Sequence, residues 1–166
     1  MNSKLIFFVL IFPCALAWVQ EMEDKDLYEG DIVLSPDQKE RLNQGKFVFG
    51  SIKDNLWKSP IAYDFSEDIA GSWRARRAIR LAIDDYHRYT CIRFVRRTDE
   101  RSYIRFYKGD GCSSPVGHAG VNSISLASGC WGRSTVIHEI AHSLGKMSRF
   151  RGICLEPNFT HFINLF

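Results

Sequence analysis

The densest chemistry in this sequence lies between Ser134 and Gly145, which reads Ser-Thr-Val-Ile-His-Glu-Ile-Ala-His-Ser-Leu-Gly. His138 and His142 stand one helical turn apart, so two imidazoles point to the same side and can grip one metal ion. Glu139 lies beside them, within reach of a water on that ion. Zinc hydrolysis asks for this set: the ion lowers the pKa of its water to about 7, and a carboxylate takes the proton. The same carboxylate can then pass the proton to a leaving amine. Ile137, Ile140, Ala141 and Leu144 recur at the spacing of a buried helical stripe. Ser134 or Thr135 is expected to cap this helix, and Gly145 to end it in a left-handed turn.

Such a helix needs a scaffold, and the preceding residues supply one. Ser72 to Tyr89 reads as a second helix, with Ala75, Ile79, Ala82, Ile83, Tyr86 and Tyr89 on one stripe. Arg74, Arg77, Arg80, Asp84 and Arg88 fall mostly off it and read as a solvated face. No aromatic residues are interleaved with these arginines for base stacking, so nucleic acid is not expected. Pro60 to Phe65 alternates like a strand, with Ile61, Tyr63 and Phe65 on one face. Cys91 to Arg96, Tyr103 to Tyr107 and Val121 to Leu126 alternate likewise, punctuated by glycines. Strand, helix, then strands predicts an α/β or α+β layer. Earlier still, Ser35-Pro36-Asp37-Gln38 has a capping Ser, a Pro at the first helical position and a reciprocal Gln, predicting a short helix through about Leu42.

The termini differ from this body. Met1 to Ala17 has a basic start, an apolar run from Leu5 to Pro13 and a small-x-small end, which is the pattern of a cleaved secretory signal. An exported product follows as the expectation. Cys14 would leave with the signal, so Cys91, Cys112, Cys130 and Cys154 remain as an even set for disulfides in an oxidising compartment. Asn158-Phe159-Thr160 is a glycosylation sequon. The overall composition, 45% apolar with a net charge of +3, excludes wholesale disorder, collagen and coiled coil. The charge is uneven: residues 18–46 carry four basic and eight acidic residues, and 47–166 carry 17 basic and 11 acidic. An acidic leader before a basic body has the charge of a segment that lies along a cleft.

Taken together, Cys91-Ile92-Arg93-Phe94-Val95, Tyr103-Ile104, Gly111-Cys112, Val116-Gly117, Ser125-Leu126, Gly129-Cys130 and Ile137 to Gly145 resemble the astacin family of secreted zinc metalloendopeptidases, within the metzincins. The resemblance runs from about Tyr28 to Gly145. It implies an α+β fold, the upper lobe of a zincin-like protease, in which a twisted mixed sheet is backed by one helix and faced by the zinc-ligand helix. It implies Zn²⁺ as cofactor, His138 and His142 as metal ligands and Glu139 as the general base. Tyr28-Glu29-Gly30-Asp31-Ile32 is similar to the family's inhibitory segment, with Tyr where Phe is usual. Asp31 would then be the zymogen's zinc-blocking ligand, and Gly30 would permit close backbone approach. Residues 18–46 would be a pro-segment and 47–145 the N-terminal part of the catalytic domain. Cys112 would pair with Cys130. The partners implied are protein or peptide substrates, with no nucleic acid, no membrane after signal cleavage, and a monomeric chain.

The resemblance ends at Gly145. The metzincin helix continues to a third His three residues beyond that glycine, and Ser148 stands there. Neither a Met-turn nor the lower lobe is found in residues 146–166. Met147 lies too close to the helix to form that turn, and His161 and Glu156 have no supporting pattern as substitute ligands. His87 and His118 read as surface or loop residues. Gly145-Lys146 can be encoded as GGT-AAG, which contains the usual start of a eukaryotic intron, so 146–166 reads as a divergent tail or translated intron. Three readings follow: a secreted zinc metalloendopeptidase made as a zymogen, a non-catalytic family product that binds peptide, and a mis-spliced product without function.

Overall fold

A computed structural model describes residues 27–46 and 56–147. The signal pattern, Cys14, Cys154, Glu156, the sequon at Asn158 and His161 lie outside the described residues. The elements in chain order are β1 (Ile32–Val33), α1 (Pro36–Asn43), β2 (Ile61–Phe65), α2 (Glu67–Gly71), α3 (Trp73–Tyr89), β3 (Phe94–Arg96), β4 (Tyr103–Tyr107), β5 (Cys112–Pro115), β6 (Val121–Leu126) and α4 (Arg133–Ser143). Together they form an α+β structure around one six-stranded mixed sheet, ordered β1-β5-β6-β4-β2-β3.

Strands β3, β2, β4 and β6 are parallel neighbours, whereas β5 runs antiparallel to β6. β1 comes from the acidic leader and pairs parallel to β5, Ile32 beside Ser114 and Val33 beside Pro115. Two parts of the chain that differ in net charge therefore share a sheet. β5 was not legible as a strand, because Cys-Ser-Ser-Pro lacks β-branched and aromatic residues. It forms where two neighbours supply its ladder, and where a disulfide joins Cys112 to Cys130 in the 3₁₀ turn before α4. β1 has two residues and α2 five, too short to leave a periodic signal.

The core lies between the sheet and helices α3 and α4. Ile61, Ile104, Phe106 and Ile124 meet Ile79, Ile83 and Tyr86 of α3 and Val136, Ile137 and Ile140 of α4. Tyr86 is wholly buried, and its hydroxyl donates to the Ile137 carbonyl at 3.0 Å, fixing one helix against the other. The stripe predicted for α3 holds with one correction. Tyr89 is 42% exposed, because the helix ends there and Thr90 turns the chain away, while Ala78 joins the buried set.

The histidine helix α4 differs from expectation at its start. Its N-cap is Gly132 rather than Ser134 or Thr135, and it has no side-chain cap. The tether at Cys130 starts the helix one residue earlier than the polar pair suggested. At the other end Gly145 has φ +106°, its N–H donates to the His142 carbonyl, and the Lys146 N–H donates to the Ala141 carbonyl. This paired arrangement satisfies the last carbonyls of the helix. Both faces of α4 are covered, which explains its weak amphipathicity: Val136, Glu139, His142 and Ser143 are buried along with the apolar stripe.

Candidate metal centre

Three side chains from opposite ends of the chain converge on the inner face of α4. His138 Nε2 lies 2.8 Å from Asp31 Oδ2, and His142 Nε2 lies 2.9 Å from His138 Nε2. His142 Nε2 is also 3.6 Å from Asp31 Oδ1. Among the described residues, Asp31, His138 and His142 form a group whose ligand atoms all lie within 4.8 Å of one another. Tetrahedral bonds of about 2.0–2.1 Å separate neighbouring ligand atoms by roughly 3.3 Å. Two nitrogens and one carboxylate oxygen at these separations therefore fit a zinc ion.

The tautomer supports that fit. His142 Nδ1 donates to the Lys146 carbonyl at 2.6 Å, so the Nε2 lone pair faces the cluster. Asp31 is 8% exposed. Burial alone pushes its carboxyl up, but hydrogen bonds from His138 and His142, together with their charge, outweigh this and hold it well below the usual carboxylate range. Glu139 is 1% exposed, between the two histidines in sequence.

The leader reaches this place by specific contacts. Glu29 and Gly30 both have positive φ, turning the chain so that Asp31 points inward. The space around Gly30 is open, so the expected close backbone approach is not its reason; the left-handed conformation is. Ile32 and Leu34 then pack with Val116 and Met147 in a small second core, and Tyr28 and Leu42 lean on it. Met147, which the sequence left without a role, is 2% exposed here. Ser35 and Gln38 cap α1 reciprocally, and Gln38 Nε2 also donates to the Val116 carbonyl at 3.0 Å.

A polar network that the sequence reading missed fixes the other side of α4. Asn122 of β6 is wholly buried, and its Nδ2 donates to the Gly117 carbonyl (2.6 Å) and to Ser143 Oγ (2.8 Å). Its Oδ1 accepts the Ala119 N–H at 2.9 Å. The Gly117 N–H in turn donates to the His142 carbonyl, and Trp57 Nε1 donates to the Ser143 carbonyl. The available signal was a polar residue in register with Ile124 and Leu126 on the inward face of an alternating strand.

Two other histidines also need correction. His87 is a structural residue: its Nε2 accepts the Phe94 N–H at 2.8 Å, holding the edge strand β3 to α3. His118 is half-buried, its ring packed edge-on against Trp57. Neither joins the metal group. Cys91 is exposed and forms no disulfide among the described residues, and no described helix is long and apolar enough to cross a membrane.

Comparison with known proteins agrees with this geometry. The family profile of Astacin, a metallopeptidase family, matches residues 50–149. The zinc metalloproteinase nas-6 of Caenorhabditis elegans is 32% identical over 128 residues, covering 75% of this chain and 37% of that protein. The zinc metalloproteinase dpy-31 of Brugia malayi is 36% identical over 138 residues, covering 74% of this chain and 23% of that protein. Among solved structures, high choriolytic enzyme 1, a hatching enzyme zinc-protease from Oryzias latipes, superposes with a TM-score of 0.53 at 31% identity, covering 57% of this chain and 52% of that one. The chain thus spans well under half the length of these curated relatives. With the profile covering most of the folded region and the histidine helix within it, the chain belongs to the astacin family, whose relatives named here are zinc metalloproteinases.

Proposed function

We propose that this chain is an exported zinc metalloendopeptidase made as a zymogen, with residues 18–46 as its pro-segment. The observation that carries the reading is the convergence of Asp31 with His138 and His142 in a chain of this family. His138 and His142 hold the ion from α4, and Asp31 occupies the position that a reacting water would need. Zinc supplies, when bound, a water of lowered pKa and a polarised peptide carbonyl. Glu139 takes the proton from that water and returns it to the leaving amine. Burial of Glu139 beside the histidines keeps competing water away from its carboxylate. The substrates are proteins or peptides, met outside the cell once Met1 to Ala17 has been removed.

A second reading has its own observation. Only two of the grouped ligands belong to the body, and Ser148 stands where the motif would place a third histidine. On that reading the chain binds peptide without cutting it. One experiment separates the two: measure zinc stoichiometry and cleavage of a quenched fluorescent peptide before and after proteolytic removal of residues 18–46. The protease reading expects one zinc per chain, no cleavage before removal, cleavage after it, and loss of cleavage but not of zinc in Glu139→Gln. Absence of stoichiometric zinc, or full activity in Glu139→Gln, overturns it; zinc with no cleavage in either form selects the binding reading.

A further inference from the structure

The first two turns of α3 have a charge pattern that the metal centre does not use. Trp73, Arg76, Arg77 and Arg80 fall within about 100° of arc at 3.6 residues per turn, and Arg74 flanks them. All four arginines are exposed, and Trp73 is 62% exposed. The opposite side of the helix carries the buried stripe that packs against the core, so this face points away from α4.

Nothing in the fold requires this arrangement, and elementary electrostatics disfavours it. The first turn of α3 contains no acidic residue, so the cations stand at the end of the helix where the macrodipole is already positive. Arg76 and Arg80 are like charges one turn apart. No ion pair joins Arg74, Arg76, Arg77 or Arg80 to a carboxylate among the described residues. Asp85 is forked by Arg133, and Asp64 is shared by Arg96 and Arg97. Asp84, one turn beyond Arg80, pairs with none of them.

We propose that this face docks a sulfated polysaccharide. Guanidinium groups match tetrahedral oxyanions through paired N–H donors, and the four cations span roughly 9 Å along the axis at 1.5 Å per residue, which suits a linear chain of closely spaced sulfates. The exposed Trp73 ring, with the Arg74 guanidinium 5.8 Å from its centre, offers a flat apolar platform for the face of a sugar ring. A lipid surface would ask for an apolar stripe to insert, and Trp73 stands alone on this face. Nucleic acid would ask for aromatics interleaved along the cations. Export, proposed above, supplies only the place where such a glycan is met; docking itself is a property of α3 and needs neither zinc nor hydrolysis.

The test is binding of the full chain, prepared metal-free, to immobilised heparin across a salt series. Metal-free protein separates failure of this proposal from failure of the protease reading. With four contacts, the logarithm of affinity should fall against the logarithm of salt with a slope of about 3, using roughly 0.7–0.9 per contact. The triple variant Arg76→Glu, Arg77→Glu, Arg80→Glu should lose at least thirtyfold in affinity at constant salt. Trp73→Ala should lose less, with the salt slope unchanged. A control triple of equal charge, Arg101→Glu, Arg105→Glu, Lys108→Glu, should bind nearly as the parent does. Far-ultraviolet circular dichroism confirms that each variant is folded. Equal loss in both triples means net charge alone is responsible and overturns the proposal. So does tighter binding of anionic lipid vesicles or duplex DNA through the same arginines.

Discussion

Replacing Asn122 by Leu tests whether the buried network, rather than the helix by itself, holds the metal-binding turn of α4. The side chains are similar in size, so the change removes hydrogen bonds without opening a large cavity. Three partners are affected: the Gly117 carbonyl, Ser143 Oγ and the Ala119 N–H. Ala119 is exposed and its N–H can turn to water, whereas Gly117 and Ser143 are buried. Two stranded buried groups at about 1–2 kcal/mol each, partly offset by the apolar burial of Leu, give a net loss of about 2–3 kcal/mol. Urea unfolding of the metal-free chain reads this directly. The loop that gives the Gly117 N–H to the His142 carbonyl is loosened as well, so zinc affinity, measured by chelator competition, should fall about 10–100-fold. Asn122→Asp keeps the acceptor for Ala119 but lacks the donor, and should behave like Leu rather than like the parent. Stability within about 0.5 kcal/mol of the parent, with zinc affinity unchanged, would refute the reasoning.

Other expectations concern the leader and the disulfide. Asp31→Ala removes one of three grouped ligands, and zinc affinity by chelator competition should fall at least tenfold, about 1.4 kcal/mol; unchanged affinity would show that Asp31 does not ligate. Ser35→Ala breaks the reciprocal cap of α1 and should weaken the leader's local structure by about 1 kcal/mol, seen as faster trypsin cleavage at Arg41 with α4 unaffected. Because the Asp31 carboxyl is held below its usual range, its contribution to leader docking is present above the unfolded carboxylate pKa of about 4 and is lost as pH falls below it. Hydrogen exchange at Ile32 and Leu34 in the metal-free chain should therefore be faster at pH 3 than at pH 6, after correction for intrinsic rates. Reducing Cys112–Cys130 should cost about 3 kcal/mol by the loop-entropy estimate and release β5 together with β1, whereas release of neither would show that the ladder suffices.

What the sequence discloses and what it withholds follow from the range of the interactions. α3 was legible because a seventeen-residue helix repeats its apolar spacing over several turns, and α1 because Ser35 and Gln38 signal within four residues. The histidine pair was legible for the same local reason. Asn122 lies on a readable strand, but its role depends on Gly117 and Ser143, which only the folded chain brings within reach. β5 becomes a strand through its neighbours, so its own residues carry little sign of it. The start of α4 was misplaced because a disulfide, rather than a capping side chain, decides where the helix begins.

The parallel pairing of β1 with β5 also bears on the solubility of the chain once the leader is gone. Removing the leader bares one side of β5, and a bare strand is a template for other chains. This template is small: four residues, ending in Pro115, which has no N–H to donate, with its other side already taken by β6. A visiting peptide can pair there over the short register that β1 uses, but a second copy of the sheet cannot extend across it. The edge that has to open for a guest is thus too short to seed a fibre.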